Sequence, residues 1–182
     1  LVFENEKGFS IGFNMILVPA SVSTLGKASP EGVNVTVTRD SETKLFKRCA
    51  ANNAAYDYLK RCSASDLDIT PPPAKLRLWL FHNLNVSSAV MMHHNTGLNK
   101  GLVKSFLGEY ATLIKIFLPD LTIGVKDADD YREIYSTTCH ELAHASHFAE
   151  VGTEYWDKGS PCFPSPEGDC HGDSLRPFPL ER

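Results

Sequence analysis

"DADDYREIYSTTCHELAHASHFAE", residues 127–150, decides how the rest of the chain is read. It opens with Asp127, Asp129 and Asp130, acidic side chains that suit the positive end of a helix dipole, and no proline or glycine follows until Gly152. The pattern predicts one continuous helix over 130–151, with Ile134, Leu142 and Ala149 as a core-facing stripe. On it His140, Glu141, Leu142, Ala143 and His144 spell HExxH. Residues four apart stand one turn above each other, so both imidazoles can reach one ion, as a tetrahedral Zn²⁺ site needs from neighbouring nitrogen ligands. Glu141 follows one position round. There it could take a proton from a metal-bound water and later pass it to a leaving amine. The bland alternative is a solvent-facing helix with incidental histidines.

Other histidines are weaker candidates. His147 lies seven residues after His140, about 10 Å along the axis, which is too far to share the ion. An ordinary helix histidine is the simpler reading, and a group on the substrate side is the functional one. His93 and His94 are adjacent in "AVMMHH" (89–94), a short extended piece expected to be an edge strand able to pair with an extended substrate. Neighbours on a strand point to opposite faces, so at most one of the two could line a cleft.

Working outward, "KLRLWLFH" (75–82) alternates Leu76, Leu78 and Leu80 with Arg77, Trp79 and Phe81, the period of an inner strand. Residues 9–18 and 33–38 are rich in β-branched and aromatic residues and predict further strands, as do 110–118 and 121–125. A helix is expected from Ser41 to Cys62 on the spacing of Leu45, Cys49, Tyr56 and Leu59, and a short one over 98–107. Strands and helices are interspersed, so the expected class is α+β, with a mixed twisted sheet packed on the HExxH helix. The organisation expected is an N-terminal β segment over 1–40, a main domain over 41–156 and a Pro-rich irregular tail over 157–182. Residues 161–182 hold five of the eleven prolines, and little there could form a packed element.

A chain of 182 residues with 42% hydrophobic content can build one core, and a net charge of -4 gives no basic field for nucleic acid. No apolar run is long enough to span a bilayer. The chain opens at Leu1 without an initiator methionine, so an excised or mature piece is one reading. Five cysteines form no CxxC pair. Cys162 and Cys170 bracket a short loop and could bridge in an oxidising space, whereas Cys139 reads as a buried helix thiol. Asn34-Val35-Thr36 and Asn85-Val86-Ser87 match glycosylation sequons, a pattern common by chance.

Four stretches carry a family resemblance: "CAANNAAYDYL" (49–59), "PPPAKLRLWLF" (71–81), "PDLTIGV" (119–125) and "YSTTCHELAHASHFAEVGTEYW" (135–156). In these the chain resembles the zincin-like metallopeptidases of gluzincin type, and more narrowly zinc metallopeptidases and lipoproteins of the cell envelope of gut bacteria. The resemblance implies a zincin-like half-domain, Zn²⁺ on His140 and His144, Glu141 as general base, a peptide or protein substrate, and a secreted or lipid-anchored location. In gluzincins the third ligand is a glutamate on a later helix. Here that region is "PCFPSPEGDCHGDSLRPFPLER" (161–182), where no helix pattern is found. Glu167 is the candidate at a tolerable spacing, and Glu150, Glu154, Asp169, His171 and Asp173 complete the field. The metzincin pattern is not met, because His147 stands in place of its glycine and Glu150 in place of its last histidine. Two functions therefore stay open, a zinc peptidase and a zincin-derived binding or structural module with an incomplete site.

Overall fold

The structure, a computed structural model, describes residues 3–5, 8–13, 27, 29–32, 34–40, 43–64, 68–94 and 118–159. Its elements in chain order are β1 (Glu4–Asn5), β2 (Phe9–Phe13), α1 (Thr43–Cys62), β3 (Leu76–Phe81), β4 (Leu121–Gly124) and α2 (Tyr131–Gly159). The expected helix over 98–107, all but Leu118 of the strand expected over 110–118, the Cys162 and Cys170 pair, and Glu167 lie outside the described residues.

The four strands form one sheet in the order β1-β2-β3-β4. β1 is antiparallel to β2, and β2, β3 and β4 are mutually parallel. As expected, β3 is an inner strand. Its register sets Leu76 against Phe9, Leu78 against Ile11 and Leu121, and Leu80 against Ile123. Since side chains alternate along a strand, this register collects seven apolar side chains on one face, and all seven are buried. Met91, Ile134, Leu142 and Phe148 join the same cluster. The chain is α+β, and its N-terminal strands share the sheet and core with the rest.

α1 packs against α2, and the buried side of α1 is made largely of small side chains. Ala50, Ala51, Ala54 and Ala55 are fully buried, a stripe at helical spacing whose short side chains let a second helix come close. The stripe expected from Leu45, Cys49, Tyr56 and Leu59 is only partly realised. Leu45 is buried, Cys49 and Leu59 are half-buried, and Tyr56 is exposed, because the alanines take the contact face. Polar bonds flank it: Asn53 Nδ2 donates to the Tyr131 hydroxyl (3.3 Å), Tyr135 to Asp57 (3.0 Å) and Tyr58 to Ser146 (3.0 Å). These pairs advance together along both helices, so the helices run roughly parallel. Lys47, 3% exposed, donates to the Val125 carbonyl (2.7 Å) and lies 3.4 Å from Asp129. It thereby fixes the start of α2 against α1.

Several expectations are corrected. Of the strand expected over 33–38, residues 34–38 form none: Asn34, Val35, Thr36 and Thr38 are exposed, no strand pairs with them among the described residues, and alternation alone makes no sheet. Ala149 is exposed, and the buried stripe of α2 runs instead through Ile134, Thr138, Glu141, Leu142, Ala145 and Phe148. The segment 89–94 is no regular strand. Ser88 exchanges two backbone bonds with Thr122 (2.9 and 2.8 Å), after which Met91, not residue 90, donates to Asp120 (2.9 Å). Met91 adopts a positive φ of 55°, so the segment lines the outer edge of β4 with a bulge and then turns. Finally, α2 breaks at Gly152 (φ 73°, ψ 170°), and helix resumes as far as Gly159, past the expected boundary at 157.

Candidate functional site

α2 carries both histidines on its solvent side and Glu141 on its buried side. The helix is unbroken between Tyr131 and Gly152, so His140 and His144 stand one turn apart. Their Nε2 atoms lie 3.2 Å from each other, with ring centroids 4.8 Å apart and planes at 82°. Two nitrogens, each about 2.0–2.1 Å from a tetrahedral ion, would be separated by about 3.3–3.4 Å. The pair thus fits two adjacent Zn²⁺ ligands. The same spacing fits an N–H···N hydrogen bond between neutral rings. Burial, together with the neighbouring His140 and His147, lowers the pKa of His144. Its ring is then neutral near pH 7, the form a metal ligand needs.

Glu141 is 5% exposed and has no hydrogen-bond or ion-pair partner among the described residues. Burial alone pushes its carboxyl up to about 7, because a desolvated carboxylate without a counter-charge is disfavoured. A carboxyl at that value can take up and release a proton near neutrality. Adjacent helix positions are about 100° apart, so Glu141 lies at the border between the histidine face and the core.

No group of three His, Cys, Asp or Glu side chains suited to one ion is found among the described residues. Glu150 accepts a hydrogen bond from the Thr70 hydroxyl, and Glu154 is exposed beyond the break at Gly152. After that break Trp156 packs back on α2, its ring 5.8 Å from His147 and 5.5 Å from Phe148. His147 is therefore in a ring contact of its own. Cys139 is a free helix thiol but half-buried, not buried as expected, and burial raises its pKa.

Sequence reasoning missed a second polar constellation, at the edge turn. Asp120, immediately before β4, is 1% exposed. Its Oδ2 accepts from the Arg77 backbone N–H (3.0 Å), and its Oδ1 accepts from the backbone N–H groups of His93 and His94 (3.1 Å each). The His94 ring lies with Nδ1 2.9 Å from the same Oδ1 and Nε2 2.8 Å from the Ala74 carbonyl. Asp120 and His94 are 26 residues apart, and no local pattern announces such a pairing.

No protein-family model, no curated protein and no solved structure matches this chain.

Proposed function

We propose that the chain is a zincin-type, zinc-dependent peptidase, with His140 and His144 as metal ligands and Glu141 as the general base. The observation that carries this reading is the pair of ring nitrogens 3.2 Å apart on one turn, beside a buried, uncompensated carboxyl. A bound Zn²⁺ would supply a water acidic enough to lose a proton near neutrality and would polarise the scissile carbonyl. Glu141 would hold that proton and return it to the departing amine, a role for which its raised pKa suits it. The mixed sheet with helices against its apolar face is compatible with a zincin-like half-domain.

The edge of the sheet supports a peptide substrate. Because Ser88 turns its N–H and C=O towards Thr122, the backbone groups of Ala89 face away from β4, and no bond to them is made among the described residues. An extended peptide could pair there as an added strand. Glu167 is proposed as third ligand on its spacing in the sequence alone, and a cell-envelope location belongs to the same proposal. No described helix is long and apolar enough to cross a membrane.

Glu141→Gln tests the reading. The amide keeps the shape but cannot accept the proton, so zinc content should be unchanged while turnover of a mixed peptide library falls by about 10²–10⁴-fold. Equal turnover in the two proteins would exclude Glu141 as the base.

A further inference from the structure

The metal pair leaves one histidine of its flank unused, His147, and the fold goes out of its way to hold that ring. Trp156 stands nine positions after His147, and in an unbroken helix the two would lie about 13–14 Å apart along the axis. The break at Gly152 (φ 73°, ψ 170°) returns the chain instead. The indole comes to 5.8 Å from the His147 ring, at 66°, and to 5.5 Å from the Phe148 ring, at 86°. Phe148 is buried in the core, so Trp156 is supported on one side and braces His147 with the other. We infer that His147 is a hydrogen-bond donor to the substrate backbone beside the metal pair, and that Trp156 is the positioning residue that fixes its ring. The inference rests on the peptidase reading for its ligand, an extended peptide.

An edge-on aromatic contact orients a ring without using its nitrogens. His147 is exposed, and neither of its nitrogens makes a hydrogen bond among the described residues. A neutral imidazole always keeps one N–H, so a donor is available there at any pH. His94 is the contrasting case, with its Nε2 committed to the Ala74 carbonyl.

The position suits a neighbour of the reacting bond. His147 follows His144 by three residues on the same exposed flank, which puts it about 4.5 Å further along α2 and about 60° round it. An extended peptide advances about 3.3 Å per residue. A carbonyl one residue removed from the scissile one therefore comes level with His147 while the scissile carbonyl meets the metal. A bond to that carbonyl is made equally in the ground and transition states, so it lowers KM and leaves kcat alone.

The test is an NMR titration of the zinc-loaded Glu141→Gln chain with a short alanine-rich peptide, which offers little but its backbone. The His147 ring and Trp156 indole signals should shift saturably. Affinity should fall about 2–10-fold in His147→Ala and in Trp156→Ala, with zinc content unchanged. His147→Gln, which keeps an N–H donor, and Trp156→Phe, which keeps a ring, should stay within about twofold of the parent. In the catalytically intact chain the same loss should appear in KM. Peptide that shifts His147 but is never cut by the wild type would support this inference and sink the peptidase. Peptide cut by the wild type with the same KM in His147→Ala, or a His147 ring that ignores bound peptide, overturns the inference and leaves the peptidase standing. His147→Ala, at an exposed helix position, decides alone if Trp156→Ala fails to fold.

Discussion

Glu141 is ionised in water at pH 7 but is placed where ionisation is disfavoured, and this has a measurable thermodynamic sign. Its folded, metal-free pKa of about 7 lies above the reference 4.5. Between those values the folded chain binds more protons than the unfolded one, so stability is fully present below 4.5 and falls as pH rises through about 7. The span corresponds to a loss of at most about 3 kcal/mol. Glu141→Gln should remove this slope, making the metal-free variant more stable than wild type at pH 8 and no more stable at pH 4. Chemical denaturation at the two pH values measures it, and parallel profiles would show that the carboxyl is not desolvated. Lys47 is the opposite case, a buried charge with partners. Lys47→Met should cost about 1–3 kcal/mol by leaving the Val125 carbonyl unsatisfied, read from the same denaturation curves.

The elements differ in how far the sequence reveals them. β3 and α2 are legible because their determinants are local: strict alternation of Leu76, Leu78 and Leu80, and an acidic start with no breaker before Gly152. α1 is legible as a helix but not in its packing, since alanines give no strong apolar period and their burial depends on what α2 presents. The same dependence misled at 34–38, where alternating valines have no strand beside them among the described residues, and at 89–94, where a bulge at Met91 interrupts pairing. Of the candidate site, HExxH was legible, whereas the burial of Glu141 and the Asp120 and His94 constellation were not, because both arise from contacts distant in sequence. The close helix pair makes a prediction at this scale. Ala54→Leu adds bulk at a fully buried position and should destabilise by about 1–3 kcal/mol. Gly152→Ala should cost about 1–2 kcal/mol, because φ 73° is a left-handed conformation unsuited to alanine. A neutral effect at residue 54 would mean that the helices are not in contact there.

For the whole molecule, a metal bound to the folded chain links the site to global stability. Zinc at about 100 times its dissociation constant should add about 2.7 kcal/mol. In a chain of 182 residues each kcal/mol moves the melting temperature by about 2–4 °C, and the shift should vanish when His140 or His144 is replaced. All of this requires that the His pair be a metal site and not two hydrogen-bonded side chains of a surface helix. Metal analysis of protein purified without a histidine tag tests it most directly. About one zinc per chain is expected in the wild type and its loss in His144→Ala, with the helix content of that variant unchanged. A wild-type chain that stays free of zinc after incubation with it, or a His144→Ala variant that retains the wild-type amount, would rule out a metal site on these histidines.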